Sequence, residues 1–356
     1  MSSSQLLVNL SFLMQKPTGI SVYASNLFPY LKSLNPTLLT SQNFPDFNCY
    51  LIPDNLNPNQ GKKGHFNRLM WTQWTLPKIY NNLQGNLLFS PIPEAPLFSK
   101  LRSIIMIHDV IPLRFKTRFS PLVAYFNYYI PQVADQSIHI ICNSVATAND
   151  IHEYYHIPVN KITPILLGYN NQHFRPLNLP TKNYFLYLGR QESYKNVHRL
   201  ISAFSTIPKD YELWIVGSTD HRYAIQLQSQ IKELELTERV KFLEYVNYDE
   251  LPKIINQAIA LVFPSLWEGF GLPVLESMGC GTPVITSNLS SLPEITGDAA
   301  ILINPYNIAE IAAAMQSIIN DSQLRNKLSH ASIIRASQFS WEKTGQSTVE
   351  LLQQFL

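Results

Sequence analysis

Residues 265–276 read SLWEGFGLPVLE, in which two carboxylates, Glu268 and Glu276, flank a loop holding Gly269 and Gly271. Pro273 suits the first turn of a helix, where its missing N–H would be unpaired in any case. The run IALVF (259–263) before Pro264 reads as a strand ending there. Glu268 then falls in a strand-to-helix loop and Glu276 in the first helical turn. Free amides and the helix dipole at such a terminus favour an anion, and the two glycines let a ligand approach the backbone closely. Carboxylates accept from hydroxyls, and amides donate to phosphate oxygens. The stretch therefore suits a ligand with vicinal hydroxyls and a diphosphate, such as a nucleotide sugar. Taken alone, it reads equally as a dipole-complementing Glu276 and a solvated Glu268.

A second stretch tips the balance. After the apolar run YFLYL (184–188) comes GRQESYKN (189–196), in which Arg190 and Lys195 bracket a loop that starts at Gly189. A fixed pair of cations neutralises a diphosphate that gains charge as it leaves; two surface cations are the plainer alternative. His108 and Asp109 leave the apolar run SIIMI (103–107), where such residues are more often structural than catalytic. Gly19, in PTGIS (17–21), could let amides approach an anion, although one glycine turn without GxGxxG is a weak signal.

The elements that must position these groups are legible as a pattern. Short apolar runs at 5–10, 49–52, 86–89, 103–107, 138–142 and 162–166 read as strands, and so do 184–188, 211–216, 240–243, 259–263, 283–286 and 300–303. Many are continuous rather than alternating, as expected for parallel strands covered on both faces. Helical patterns lie between them at 20–34, 119–134, 144–155, 196–206, 221–236, 249–257 and 307–319. The repetition implies right-handed parallel crossovers in doubly wound sheets. The series restarts after FRPLNLPTKN (174–183), which reads as a linker. The predicted class is α/β, with two facing Rossmann-like doubly wound domains and an interdomain cleft. In such sheets ligands sit beyond the carboxyl ends of the strands, where the motifs above fall.

Composition narrows the function classes. At 356 residues two domains are expected. The net charge of +2 is too small to argue for nucleic acid, where a clustered basic stripe is expected, and leaves room for a local basic patch. Three scattered cysteines, Cys49, Cys142 and Cys280, form no disulfide framework or metal spacing, which fits a reducing compartment. No run approaches the roughly 20 apolar residues of a spanning helix. The expectation is a cytoplasmic protein, with peripheral contact at the inner face of a membrane left open. Segment 59–80, NQGKKGHFNRLMWTQWTLPKIY, sets Lys62, Lys63, His65 and Arg68 beside Met70, Trp71 and Trp74. It reads as a loop for anionic lipid or a sugar acceptor, or as a surface loop leading into a helix whose tryptophans pack on the core. The second reading is preferred.

At this point the chain resembles a known family, the retaining glycosyltransferases of the GT-B architecture (family 4), especially their mannosyltransferase-like branch. The resemblance runs through TGISVYASNL near the start, IHDVIP (107–112), LLGYNNQHF (166–174), LGRQESYKNVHRLISAF (188–204) and LWIVG (213–217). Its most specific block is FPSLWEGFGLPVLESMGCGTPVITSNLSSLPEITGDAAILINP (263–305), and FSWEKT (339–344) precedes the last helix. It implies an acceptor-side domain at 1–173, a linker at 174–183, a nucleotide-sugar domain at 184–338 and a helix at 339–356 crossing back to the first domain.

The same resemblance implies roles. Glu268 and the backbone of Gly269, Phe270, Gly271 and Leu272 would hold hydroxyls and phosphate near the donor sugar. Glu276 would bind the ribose hydroxyls, and Arg190 and Lys195 the diphosphate beside Gly189. Gly19 would lie against the phosphates and His108 near the reacting carbon; Asp109 is less secure. TGIS stands where the wider family has a doubled glycine, and Lys195-Asn196 where KG is frequent. The implied enzyme is a retaining, metal-independent hexosyltransferase with no cofactor, the nucleotide diphosphate sugar being a co-substrate. The leading donor is GDP-mannose, and the acceptor a glycan, lipid-linked or small molecule of polysaccharide biosynthesis. UDP-glucose, UDP-GlcNAc or GDP-fucose as donor, or a nucleotide-sugar epimerase of the same architecture, stay open, and no nucleic-acid partner is implied.

Overall fold

The structure is a computed structural model that describes residues 5–14, 19–115, 121–218 and 221–356. Pro17, Thr18 and the start of the expected helix 119–134 lie outside the described residues. The chain divides into two compact units, Met1–Gly168 with Trp341–Leu356, and Tyr169–Ser340.

The first unit is built on β1 (Leu6–Asn9), β2 (Thr37–Thr40), β3 (Asn48–Leu51), β4 (Leu87–Ser90), β5 (Ser103–Ile107), β6 (His139–Cys142) and β7 (Ile162–Pro164). They form one sheet in the order β3-β2-β1-β4-β5-β6-β7, with every pairing parallel. The second unit uses β8 (Tyr184–Leu188), β9 (Glu212–Val216), β10 (Val240–Leu243), β11 (Ala260–Phe263), β12 (Val284–Ser287) and β13 (Ile301–Ile303). Their order is β10-β9-β8-β11-β12-β13, again all parallel. In each sheet the central strands are buried throughout. That burial is why their sequences are continuous apolar runs.

Strand order reverses once in each sheet, between β1 and β4 and between β8 and β11. At such a reversal the two connections leave in opposite directions, opening a crevice at the carboxyl ends. The expected site residues follow strands at or beside these two points.

Three expectations need adjusting. The division between units falls at Gly168–Tyr169, so segment 174–183 lies inside the second unit. There Leu177 N–H donates to Asn256 Oδ1 at 2.8 Å, Asn256 Nδ2 to Arg175 O at 3.0 Å, and Lys182 N–H to Gln257 O at 2.8 Å. Prolines make this segment irregular without leaving it untethered. The helix expected over 20–34 is α-helical only over Gly19–Leu27 and continues as a 3-10 helix over Phe28–Leu34. Pro29 removes the amide needed for the α ladder. Segment 59–80 is largely helical, over Gly61–Trp74 and Leu76–Asn82. Trp71 packs on the core as expected, but Trp74 is 66% exposed.

The last helix, Trp341–Gln353, belongs to the first unit. Thr344 Oγ1 donates to Leu166 O at 2.8 Å, and Trp341 packs near the ring of Tyr23. A methyl group at Gly345 would meet Tyr30 Cγ at 2.3 Å and Cβ at 2.6 Å, the root of that ring rather than its free end. Gly345→Ala should therefore destabilise by about 1–3 kcal/mol through overpacking, although alanine is the better helix former. Thermal unfolding checks this; an unchanged or higher melting temperature would show that the contact yields freely.

Candidate active site

In the second unit two loops meet at the strand-order reversal. One leaves β8 as Gly189–Asn196, and the other leaves β11 as Pro264–Gly271. They are joined by backbone, with Leu266 N–H donating to Tyr194 O at 2.8 Å. They are joined by charge as well, with Lys195 Nζ 2.6 Å from Glu268 Oε1 and side-chain exposures of only 13% and 9%. The Lys195 ammonium also lies 5.2 Å from the Tyr194 ring centre and 5.4 Å from that of Phe263. Rings on two sides and a carboxylate on another fix its position.

Asn196 explains the departure from KG. It is fully buried and left-handed, with φ +64 and ψ 25, a region asparagine tolerates better than most residues. Its Nδ2 donates to Pro264 O at 3.0 Å and to Pro305 O at 2.7 Å, and its Oδ1 accepts from Arg199 Nη1 at 2.8 Å. Glycine would supply the conformation but none of these three bonds.

The Glu268 loop is held by residues that the sequence reading gave no role. Glu268 N–H donates to Ser290 Oγ at 3.0 Å, and Ser291 Oγ donates to Glu268 O at 3.1 Å and Phe270 O at 2.6 Å. Ser291 stands at the N-cap of the helix Leu292–Thr296 but makes no capping bond with its side chain. Its hydroxyl serves the neighbouring loop instead. The only cue was a serine pair in the loop that follows strand β12. Gly271 is at φ +113, and a methyl group there would meet Leu292 Cδ2 at 2.8 Å. Gly217 closes the β8–β9 side, since a methyl group on it would lie 2.2 Å from Gly189 O.

The helix begins at Leu272 and runs to Gly279, so Glu276 opens the second turn rather than standing in the first. Val274 and Leu275 both donate to Gly271 O, at 3.0 and 3.2 Å. The amides of Phe270, Gly271 and Leu272 have no hydrogen-bond partner among the described residues. Burial without a cationic partner raises the Glu276 carboxyl to about 8. It is neutral at pH 7 and can donate as well as accept. The two acids, Glu268 and Glu276, thus stand differently, Glu268 salt-bridged to Lys195 and Glu276 protonated.

The structure does not assemble every expected contact. The Arg190 side chain is 73% exposed and lies 3.6 Å from Glu192 Oε1 rather than beside the Lys195–Glu268 pair. Its backbone is fixed, because Tyr187 Oη donates to Arg190 O at 3.0 Å. Gly189, with φ +148, leads into this turn. His108, Asp109 and Gly19 belong to the first unit. His108 Nε2 is 3.0 Å from Pro91 O, the residue that follows β4. A carbonyl only accepts, so Nε2 carries the proton and Nδ1 is the acceptor. Burial lowers the imidazole to about 4, against the raising effect of that bond. The Tyr23 ring meets it edge-on at 5.0 Å. Asp109 Oδ1 accepts from Ile111 N–H at 3.0 Å, a turn-forming role. Gly19 opens the helix Gly19–Leu27 and is exposed, and a methyl group there would meet nothing within 4 Å. The fold itself therefore does not require glycine at 19.

Two predictions follow from this electrostatic arrangement. Breaking the Lys195–Glu268 pair leaves one nearly buried charge uncompensated. Lys195→Met and Glu268→Gln should each cost roughly 3 kcal/mol of stability, and the double variant less than the sum. Denaturant melts that gave strictly additive losses would rule out a coupled pair. Glu276 gives a pH signature. Between about pH 5 and pH 8 the unfolded chain has lost this proton and the folded chain keeps it, so its contribution to stability falls as pH rises. Glu276→Gln should flatten that decline in a series of thermal melts, and an unchanged slope would place the carboxyl in a solvated, ordinary state.

Residues 169–335 match the family described as glycosyl transferases group 1. The O-antigen chain mannosyltransferase RfbU of Salmonella typhimurium is 28% identical over 326 residues, covering 88% of this chain and 90% of that protein. Among solved structures, sucrose-phosphate synthase from Thermosynechococcus elongatus superposes with a TM-score of 0.76 at 19% identity, covering 99% of this chain and 98% of that one. HepE of Anabaena, in complex with UDP and glucose, also gives 0.76, at 17% identity and 99% and 100% coverage. Residues 169–335 thus match a glycosyl transferases group 1 domain, and the chain shares the fold of these two solved structures.

Proposed function

We propose that the chain transfers mannose from GDP-mannose, with retention of configuration and without a metal ion, to a glycan or lipid-linked acceptor. The observation that carries the reading is the Lys195–Glu268 pair, 2.6 Å apart at the strand-order reversal and beside three unpartnered amides. An ammonium has three donors, so Lys195 can keep Glu268 and still bind a diphosphate oxygen. The amides of Phe270, Gly271 and Leu272 take further oxygens. Glu276, neutral at working pH, engages a ribose diol without opposing the diphosphate charge. His108 offers Nδ1 to a sugar hydroxyl, and Gly19 lets a backbone amide near an anion; both rest on the residues' chemistry alone.

In the proposed step the bond from the sugar's anomeric carbon to the diphosphate oxygen breaks, and the acceptor hydroxyl bonds to that carbon on the same face. The hydroxyl proton passes to the departing diphosphate. Lys195 stabilises the charge that grows on this leaving group, and Arg190, exposed beside Glu192, turns to join it. Mannose is favoured by the similarity to a mannosyltransferase over nearly the whole of both chains. Similarity at this level does not fix the base or the sugar, and UDP-glucose, UDP-GlcNAc and GDP-fucose are the competing donors.

A thermal-shift panel of GDP- and UDP-sugars on the purified chain tests the reading. A hundredfold excess over Kd should stabilise by about 2.7 kcal/mol, with GDP-mannose foremost. Lys195→Met should lower turnover about 10²–10³-fold, and excess EDTA should leave the wild-type rate unchanged. No shift with any nucleotide sugar would overturn the proposal. A shift with UDP-sugars only would move the donor and keep the enzyme class, and an EDTA-sensitive rate would remove metal independence.

A further inference from the structure

We infer that the outward face of the helix Gly61–Trp74 docks on an anionic lipid bilayer. The helix has large apolar side chains on two sides. Its inner side buries Gly64, Arg68, Trp71 and Thr72. Its outer side carries Phe66, Met70 and Trp74, at 61%, 43% and 66% exposure. These three recur every fourth residue, and at 100° per residue they fall with Lys62 and Lys63 on one arc of about 120°. Large apolar side chains on the solvent side of a helix are not required by the fold, which already has Trp71 for its core.

Charge selects the occupant. No acidic residue occurs between Asp54 and Glu94, a span holding Lys62, Lys63, Arg68 and Lys78. Arg68 is buried and neutralised by bidentate bonds to Glu94, both 2.8 Å. Lys62, Lys63 and Lys78 are exposed and enter no ion pair among the described residues. The asymmetry extends to the unit. The first unit has 13 Lys and Arg against 9 Asp and Glu, a formal +4, and the second 14 against 16, a formal −2. A helix with cations at one end and an aromatic–aliphatic strip along its exposed side is the pattern that lies in the headgroup layer. Beside it, the loop bearing Phe98 is tied to this helix. Gln73 Nε2 donates to Ala95 O at 3.3 Å, and Gln73 Oε1 accepts from Leu97 N–H at 2.9 Å. Phe98 itself is 87% exposed.

The helix is not a spanning segment, since no helix among the described residues is long and apolar enough to cross a membrane. Its 14 residues extend about 21 Å, to be laid flat. Contact of this kind brings the chain to lipid-borne acceptors, but it is independent of the donor reading and is measured without turnover.

The test is co-sedimentation of the full chain with vesicles of phosphatidylglycerol and phosphatidylcholine, against vesicles of phosphatidylcholine alone. Wild type should sediment with the anionic vesicles and be released as salt rises. Lys62→Glu with Lys63→Glu should weaken partitioning at least tenfold. Phe66→Ser, Met70→Ser and Trp74→Ser together should weaken it similarly on both vesicle types, while melting temperature and nucleotide-sugar thermal shift stay at wild-type values. Absence of binding to anionic vesicles, or equal binding by the triple variant, overturns the proposal. A wild-type dimer that Trp74→Ser converts to a monomer in light scattering also overturns it, in favour of a second copy on this face.

Discussion

One ion pair organises the candidate site, and its location follows from strand order. β8 is the first strand of its sheet in sequence, and β11 is placed on its other side. The connections that follow these two strands lead to opposite sides of the reversal, and the loops that open them meet at the strand ends. Lys195 comes from one loop and Glu268 from the other, and their bond ties the two together. Without ligand, each charge serves as the other's solvent. That is a costly arrangement for a purely structural link, because desolvation of two ions offsets much of their attraction. Apolar side chains would join the loops as well. In the proposed function, a lysine nearly dry and flanked by two aromatic faces is a cation prepared for an incoming anion.

The two acids of this stretch stand in different surroundings. Glu268 is spent on Lys195, whereas Glu276 has no cation and stays protonated up to about pH 8. In the proposed function, an ionised Glu276 would set a second carboxylate against the diphosphate. Its neutrality removes that repulsion and leaves a group able to both donate and accept toward a diol. A carboxyl pushed far from its ordinary value by burial is a common mark of functional sites. Ser290, Ser291 and Asn196 matter because they hold the backbone that sets this difference, each by bonds to a carbonyl or amide of the two loops.

Much of this was readable from sequence, for identifiable reasons. Buried parallel strands announce themselves as apolar runs, and the acids, cations and glycines stood directly after them. β2 did not, because TLLT offers only two apolar residues between threonines, beside Pro36. The Lys195–Glu268 bond was invisible because it joins residues 73 apart, and no local pattern encodes which strand lies beside β8. Ser290 and Ser291 resemble an ordinary helix cap, and only the structure turns the Ser291 hydroxyl toward the other loop. Glu276 was named, yet its neutrality depends on surroundings contributed by distant segments.

The helix Gly61–Trp74 illustrates the same limit in the opposite direction. Its sequence has apolar residues at both faces and little overall periodicity, so the segment read as a surface loop leading into a helix with both tryptophans on the core. Composition alone cannot say which tryptophan is core. The structure separates them by three positions, close to one turn less 60°: Trp71 faces inward and Trp74 outward. The inward face is accounted for by Arg68, which enters the core only because Glu94 receives it through two bonds, with Tyr125 Oη on the same carboxylate at 3.1 Å. That buried network fixes the rotation of the helix. Once the rotation is fixed, Phe66, Met70 and Trp74 have no direction but outward, and their exposure is a consequence the chain keeps rather than one it relieves with polar residues.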